Sequence, residues 1–579
     1  MTTARAGRVR LVMAALLCAG GVGVGLLAPN GPTSAVAAQK DPPGAKKAKD
    51  ALQPDGPDDG ATSFLACAKC HNEQPPVNVK GNVFAQRFKS HEFVLFSEGR
   101  TWTAEDPHSA AFKVLEGALG KQMTDILGKG KSGYSVTSDA RCLTCHAIDM
   151  NPLAALPDKL DAASTRFDTS DGVTCNACHG LKKPWQGEHY EDKAAPGGGR
   201  TIPWRTHTPE RKEQSGMRNL RDPVVKAQLC ASCHVGDPDL NRVVTHDMYA
   251  AGHPPLPPFE LGTFMEGQPK HWGYPTDSKL KFFTDEGFKA FTKTDAVKDN
   301  WTWDLYRFHP EEKEVYLARQ ITAGAIASLH AEMKMLAADA EAVTKGTEGS
   351  VDFARFDCFA CHHDLKVPSD RQSRGYVGPP GRPTLKAWTA ALPSVVVEHA
   401  AGLKPFAEPA KGFRAKWDAV QAAALARPFG RPKELAAASN EMAAWCETFM
   451  KAQQAEAAPV YSPGEAAKLL ALIGSAAVAK EWTADPEAAM HLTWAYITLR
   501  TSMKVDINDA ALKALGKTVP VRVRERNSGD GMYKGTYSND AGEPYTVGET
   551  LRQRLDVFTK YTAKDFTSSF RGVLGAPPK

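Results

Sequence analysis

The chain has 579 residues, of which 42% are hydrophobic and 24% charged, an ordinary balance for a soluble globular protein of several domains. Its formal net charge is only +5 at pH 7, and three of the contributing residues, Arg5, Arg8 and Arg10, lie in a segment that we expect to be removed. This small charge gives no reason to expect nucleic acid as a partner.

Residues 1–38 have the features of an export signal. The three arginines precede an apolar run, Leu11 to Leu27, and Ala35-Val36-Ala37 offers a small-residue cleavage site. The alternative is a retained N-terminal anchor, because the run approaches the length of a membrane span. We therefore expect an exported protein, periplasmic or at the cell surface. Residues 39–62, rich in Lys, Pro, Asp and Gly, are expected to form a disordered linker.

Residues 63–375 carry five copies of the pattern Cys-x-x-Cys-His. Ten of the twelve cysteines belong to these copies, and a shuffled chain of this composition would give only about 0.007 matches. The cysteines are Cys67 and Cys70, Cys142 and Cys145, Cys175 and Cys178, Cys230 and Cys233, and Cys358 and Cys361. The histidines that follow them are His71, His146, His179, His234 and His362.

This pattern is the attachment site of a c-type haem. Two thiols at this spacing can bond the two vinyl groups on one porphyrin edge, and the next residue presents an imidazole to the iron. Structural zinc needs two cysteine pairs about 15–20 residues apart, whereas 70, 28, 50 and 123 residues separate each motif histidine from the next motif here. A thioredoxin-type pair would occur once. The sequence therefore predicts five covalently bound haem c groups.

The opposite face of each iron needs a second ligand or stays open. Twelve other histidines are available, more than five irons require. Local context favours four of them as distal ligands: His108, His189, His246 and His253. The competitors for a fifth place are His91, His330, His363 and His399. Since His246 and His253 are seven residues apart, they cannot both serve the haem of Cys230 and Cys233, and at least one should reach a different haem.

The secondary-structure patterns predict a mainly α protein with extensive loops. Pro and Gly are frequent through the haem-bearing region, but apolar residues recur at helical spacing from Val315 to Leu336. Residues 384–579 contain no further motif and are expected to form a mainly helical accessory region. A capping box at Ser462 and the pair Asp485-Pro486 mark two helix starts there. The expected architecture is a multihaem cytochrome c body followed by this helical C-terminal region.

Several segments resemble the multihaem cytochrome c-554 family, whose tetrahaem members carry electrons in ammonia oxidation. The resemblance lies in Asp171 to Gly180 with Trp185 and His189, and in Trp102 to Phe112, Cys142 to Ala147 and Val244 to Glu260. It covers roughly residues 64–365. It implies a mostly helical, loop-rich fold packed around haem, a role in electron transfer, and His108 and His253 as distal ligands. The five motifs, where the family carrier has four, and the long C-terminal region depart from the family pattern.

These observations favour an exported cytochrome that relays single electrons through five haems. Its partners would be redox proteins or membrane electron-transport components. The alternative is an oxidoreductase that acts on a small nitrogen or sulfur compound at one haem with an open axial position, since the family carrier has one such iron. A third hypothesis gives residues 384–579 a docking partner of their own.

Overall fold

The structure is a computed structural model, and the residues it describes belong to one compact unit, Ala48–Lys579. They are residues 64–72, 98–147, 169–180, 183–189, 209–269, 314–363, 365–373, 379–455, 458, 461–521, 524–526, 533–535 and 559–574. The expected export signal and linker lie outside the described residues.

The described part of the haem-bearing region consists of short helices joined by loops. They are α1 Phe64–His71, α2 Glu98–Glu105, α3 Lys113–Glu116, α4 Ala118–Leu127, α5 Ala140–His146, α6 Cys175–His179, α7 Lys183–Glu188, α8 Pro209–Gln214, α9 Pro223–His234, α10 His246–Ala251 and α11 Leu261–Gly267. Single 3-10 turns cover Pro107–Ala110, Thr169–Asp171, Pro238–Leu240, Phe353–Arg355, Cys358–Ala360 and, in the C-terminal region, Lys404–Phe406.

Longer helices follow, with one small hairpin. The helices are α12 Tyr316–Lys345, α13 Asp370–Ser373, α14 Trp388–Ala401, α15 Phe413–Leu425, α16 Pro432–Gln454, α17 Pro463–Ala477, α18 Lys480–Thr483, α19 Pro486–Ser502, α20 Asp509–Leu515 and α21 Ala563–Leu574. Strands β1 Arg524–Arg526 and β2 Tyr533–Gly535 pair antiparallel, with Arg524 opposite Gly535. The prediction of a mainly α fold with extensive loops is confirmed.

The two helices that the sequence predicted in the C-terminal region begin at the expected residues. The hydroxyl of Ser462 accepts a hydrogen bond from the backbone N–H of Glu465 (3.3 Å), and Pro463 opens α17. The carboxylate of Asp485 accepts from the N–H of Ala488 (2.7 Å), and Pro486 opens α19. Such caps satisfy backbone donors that have no partner inside the helix.

Helix α12 is the central element of the core. It is 30 residues long and packs against α9, α11, α14, α16 and α19. Ile321, Ile326 and Leu329 on its apolar side are fully buried, and each contributes roughly 1.5–3 kcal/mol relative to an exposed side chain. The predicted periodic segment from Val315 to Leu336 therefore marks the element that joins the two regions.

One hydrophobic cluster runs across the boundary that the sequence suggested at residue 384. It includes Val224 and Phe259 from the haem-bearing region and Trp494 and Val573 from the C-terminal region. The helices after residue 384 thus share a core with α9, α11 and α12. Among the described helices, none is long and apolar enough to cross a membrane.

Candidate haem-binding site

The motif histidines stand at the ends of short helices. Four of them are the last residue of a helix: His71 of α1, His146 of α5, His179 of α6 and His234 of α9. Aspartates cap the starts of two of these helices, Asp139 at α5 and Asp222 at α9. Because cysteines three residues apart lie on one side of a helix, both thiols can face one porphyrin edge. The side chain of Cys70 lies outside the described atoms.

The ring of His71 lies beside that of His189. The two ring centroids are 6.3 Å apart and the planes are nearly parallel, at 22°. His71 donates from Nδ1 to a carboxylate oxygen of Glu98 (3.0 Å), and this hydrogen bond raises the pKa of His71. His189 donates from Nδ1 to the carbonyl of Trp185 (3.2 Å). In a neutral imidazole, a proton held on Nδ1 makes Nε2 the atom that can bind a metal.

His146 is paired in the same way with His253. Their centroids are 6.2 Å apart with the planes at 75°. His146 donates from Nδ1 to the carbonyl of Ala111 (2.7 Å), and His253 donates to the carbonyl of Pro254 (2.8 Å). Burial lowers the pKa of His253 to about 4 and also lowers that of His146. Both imidazoles are thus held in the neutral form that binds a metal.

His234 is paired with His108. Their centroids are 6.2 Å apart and the planes are close to perpendicular, at 83°. His108 donates from Nδ1 to the buried carboxylate of Asp106 (2.8 Å). Phe259 stacks on the His234 ring at 5.7 Å and 9°, and Phe264 meets it edge-on at 4.9 Å. The His234 ring therefore packs against two aromatic side chains, which form an apolar wall beside it.

The fourth pair is His362 with His246, 6.2 Å apart and at 22°. The backbone N–H of His246 donates to Asp352 (3.0 Å), and the ring of Phe353 lies 5.5 Å from the His246 ring. His362 and Cys361 are exposed to solvent. This motif is therefore at the surface of the described structure.

All four distal candidates of the sequence analysis, His108, His189, His246 and His253, thus lie next to a motif histidine. The stretch from Cys230 to Pro254 contributes to three different pairs, since His234 faces His108 while His246 faces His362 and His253 faces His146. Neither His246 nor His253 is paired with His234. Sequence reasoning limited the choice but could not assign the partners, because they lie 107 to 126 residues apart along the chain.

The spacing of these pairs fits an iron between the rings. A metal–nitrogen bond of about 2 Å, and about 1.1 Å from that nitrogen to the ring centre, put two axial imidazoles about 6.2 Å apart. The four observed separations are 6.2–6.3 Å. In five of the eight rings, Nδ1 donates to a carbonyl or carboxylate, which would leave Nε2 as the ligand atom. The residues present therefore fit haem with two histidine ligands.

The remaining motif histidine, His179, lies 6.5 Å from the buried indole of Trp185. Arg218 supports this motif: its Nη1 donates to the carbonyls of Ala177 (2.7 Å) and Cys178 (2.6 Å), and its backbone N–H donates to the carbonyl of His179 (2.8 Å). The cysteine-histidine segment is thus held by the partly buried guanidinium of Arg218.

Thiols of different motifs, all of them partly exposed, lie close together. The Cys145 thiol interacts with that of Cys233, and the Cys175 thiol interacts with that of Cys67. These contacts raise the pKa of Cys145 and of Cys175. Motif Cys142–His146 is therefore in contact with motif Cys230–His234, and motif Cys67–His71 with motif Cys175–His179.

Arg242 links the second and fourth motifs further. Its Nε donates to the carbonyl of Thr144 (3.0 Å), and its Nη1 donates to the hydroxyl of Ser232 (2.6 Å). Thr144 and Ser232 are the residues immediately before Cys145 and Cys233. Sequence reasoning missed Arg242, because a single arginine between motifs has no recognisable signature.

Three other histidines among the described residues contact carboxylates or carbonyls. His330 directs Nε2 to Glu447 (3.4 Å), and the buried His399 directs Nε2 to Glu465 (3.4 Å). His491 engages both ring nitrogens with carbonyls. The competitors His330 and His399 thus have Nε2 turned to carboxylates, while His363 directly follows His362 and His91 lies outside the described residues.

Residues 66–180 match the family model described as cytochrome c554 and c-prime. The match covers about one fifth of the chain and includes the first three motifs. No curated protein and no solved structure matches the chain. The family match supports a c-type cytochrome, a class of electron carriers with covalently bound haem.

Proposed function

We propose that the protein is an exported pentahaem c-type cytochrome that relays single electrons between redox partners. The observation that carries this proposal is the set of four histidine pairs, each joining a motif histidine to a histidine from elsewhere in the chain at 6.2–6.3 Å. Irons with two histidine ligands are closed to substrates, which suits electron transfer.

In this proposal each haem is bound through its two motif cysteines. The axial ligands are His71 with His189, His146 with His253, His234 with His108, and His362 with His246, while His179 is the proximal ligand of the haem at Cys175 and Cys178. Haem c supplies the one-electron couple of its iron. The chain's own residues fix the ring orientations and hold the Nδ1 protons of five of the eight rings on carbonyl and carboxylate acceptors.

Contacts between motifs support a relay. The Cys145–Cys233 and Cys67–Cys175 thiol contacts bring porphyrin-bearing edges of different motifs together. The short separation of 28 residues between His146 and Cys175 also keeps neighbouring motifs close. Close cofactors are what stepwise electron transfer through a protein requires.

The haem count is tested by the mass of the purified protein expressed with a haem-attachment system. We expect five haem additions, and peptide mapping should find one on each cysteine pair. Four or fewer haem additions would contradict the pentahaem proposal, provided that every motif cysteine is accounted for, either as bound to haem or as a free thiol that reacts with an alkylating reagent.

The ligand assignment is tested by substituting distal histidines with methionine. His253→Met should convert the haem at Cys142 and Cys145 to histidine–methionine ligation and raise its potential, since methionine favours ferrous iron. His108→Met should do the same at Cys230 and Cys233. His330→Met is the matched control and should leave every haem unchanged. A change at the Cys230 haem in the His253→Met variant would contradict this assignment.

The four histidine pairs also narrow the alternative function, an enzyme that acts on a small nitrogen or sulfur compound at one open iron. If one iron is open to small molecules, it is the iron held by His179, in the site with Trp185 and Arg218. Carbon monoxide binding to the reduced protein, with low-temperature EPR of the oxidised form, is the test. Only low-spin signals and no spectral change with carbon monoxide would exclude this alternative.

Export and partners are also part of the proposal. The arginine-rich, apolar N-terminus supports export, and the exposed motif at Cys361 and His362 supports electron exchange with redox proteins or membrane electron-transport components. Fractionation of expressing cells should place the haem-stained protein outside the cytoplasm. A haem-loaded protein in the cytoplasm would contradict export.

A further inference from the structure

Helix α19 of the C-terminal region lies directly behind a haem-binding segment. His491, fully buried, has Nδ1 3.1 Å from the carbonyl of Trp388 and Nε2 3.1 Å from the carbonyl of Phe259. Burial lowers the pKa of His491 to about 4, so the ring is neutral and carries one N–H. His491 therefore lies between α14 and the segment that precedes α11, and its single N–H donates to one of these two carbonyls.

A second contact from the same helix reaches α11 itself. The hydroxyls of Thr498 and Thr263 are hydrogen-bonded at 2.8 Å. Thr263 also donates to the buried carboxylate of Glu260 (2.6 Å), which caps α11 through the N–H groups of Gly262 (2.9 Å) and Thr263 (2.6 Å). The start of α11 is thus held by polar contacts that end on α19.

The segment held in this way forms the wall of one motif histidine. Phe259, whose carbonyl contacts His491, stacks on the ring of His234, and Phe264 of α11 meets that ring edge-on. Trp494 of α19 lies 6.5 Å from Phe264. A continuous set of contacts therefore leads from α19 through two phenylalanines to the imidazole of His234.

We propose that His491 and Thr498 are positioning residues for the haem bound at Cys230 and Cys233: they set the rotation of the His234 ring and the apolar character of its surroundings. This inference rests on the haem assignment proposed above. The rotation of an axial imidazole determines the splitting of the iron d orbitals, and an apolar, rigid wall influences the potential. The C-terminal region then has a role in tuning one cofactor.

Packing alone would be the simpler role for these residues, and the two roles predict different spectra. A histidine that only fills the core affects stability when it is replaced. A positioning histidine also changes the EPR signal and the midpoint potential of one haem, and leaves the other haems as they were.

The test compares variants of the haem-loaded full chain. His491→Leu removes the N–H donor that faces the two carbonyls, His491→Gln restores a donor, and Thr498→Val removes only the hydroxyl at nearly constant volume. His399→Leu is the matched control, because His399 is also buried in the C-terminal region but contacts Glu465 and Tyr461. Low-temperature EPR and redox titration are recorded for each.

We expect His491→Leu and Thr498→Val to shift the EPR signal and potential of the His108–His234 haem alone, and His491→Gln to reverse part of the shift. If His491→Leu does not accumulate, Thr498→Val decides the matter. Unchanged haem signals in the soluble variants, or an equal change in His399→Leu, would overturn the inference. Absence of haem from Cys230 and Cys233 in the parent protein would instead refute the assignment on which it rests.

Discussion

Five of the eight histidines in the four pairs donate from Nδ1 to a carbonyl or carboxylate. His108, for example, donates from Nδ1 to Asp106, whereas His399 turns Nε2 to Glu465. A donor at Nδ1 fixes the tautomer and makes Nε2 the atom that can bind a metal. The core histidine His491 also has Nδ1 beside a carbonyl, so engagement of Nδ1 indicates a candidate ligand only together with a second imidazole about 6.2 Å away.

Replacing Asp106 by Asn should raise the potential of one haem. The carboxylate that accepts from His108 makes the imidazole a stronger donor and stabilises ferric iron, and the neutral amide removes that effect. A tenfold change in the relative binding of the two iron states corresponds to about 59 mV for one electron, and we expect a rise of that order. Redox titration measures it, with Glu116→Gln as an exposed control. No rise, or a fall, would count against His108 as a ligand.

At this scale the sequence alone predicted the candidate ligand residues, because the motif and its local context identify them. It identified His108, His189, His246 and His253, and the structure places each beside a motif histidine. Their role as ligands stays a prediction. The pairing could not be predicted, and neither could the Nδ1 acceptors of His71 and His146, because Glu98 and Ala111 lie 27 and 35 residues from these histidines and meet them only in the folded chain.

At the scale of elements, capping and periodicity predicted helix starts well, as at Ser462 and Asp485. The prediction of an accessory region from residue 384 rested on the end of the motifs and on a Pro- and Gly-rich segment. Such signals mark a change in composition, but they do not reveal which surfaces are shared. Helices α12 and α16 lie on opposite sides of this boundary and pack closely together.

A buried ionic cluster on α12 should make stability depend on pH. Burial raises the pKa of Asp339 from 3.8 to about 6, although its carboxylate lies 3.4 Å from Arg355. The folded protein therefore binds this proton more tightly than the unfolded chain, and the free energy of unfolding falls as the pH rises through this interval. The loss is on the order of 3 kcal/mol, since one pKa unit corresponds to about 1.4 kcal/mol.

The variant Asp339→Asn should lack this loss. We expect the difference in unfolding free energy between parent and variant to change in favour of the variant between pH 4.5 and pH 7, as measured by denaturant unfolding followed by circular dichroism. Equal pH dependence in the two proteins would show that Asp339 does not titrate in this interval.

At the scale of the whole molecule, the four pairs form two classes by ring orientation. His71–His189 and His246–His362 are nearly parallel, both at 22°, whereas His108–His234 and His146–His253 lie at 83° and 75°. Near-parallel imidazoles give rhombic low-spin ferric EPR signals. Near-perpendicular imidazoles give EPR signals whose maximum g value is larger. EPR of the oxidised protein should show two haems of each class. A single class of signal would contradict the ring orientations described here.

Truncation after residue 375 should prevent folding of the haem-bearing region. It would remove α14, α16 and α19, three of the five helices that pack against α12, and expose side chains such as Ile326 and Leu329, at roughly 1.5–3 kcal/mol each. A few such losses equal the whole stability of an ordinary domain, about 5–15 kcal/mol. We expect the truncated chain to aggregate or to be degraded, as judged by haem-stained gels of soluble extracts. A soluble product with the full haem spectrum would support a separable docking region instead.

The overlapping order of the pairs along the chain has a consequence for assembly. The second member of each pair appears in the order His189, His234, His253 and His362 as the chain is synthesised. The first histidine of each pair precedes the second histidine of the previous pair. The pairs therefore overlap along the chain, and none can be completed as an independent module. A chain interrupted just after Pro254 would contain both members of three pairs. It would also contain His246, the first member of the fourth pair, but not the last motif with its partner His362.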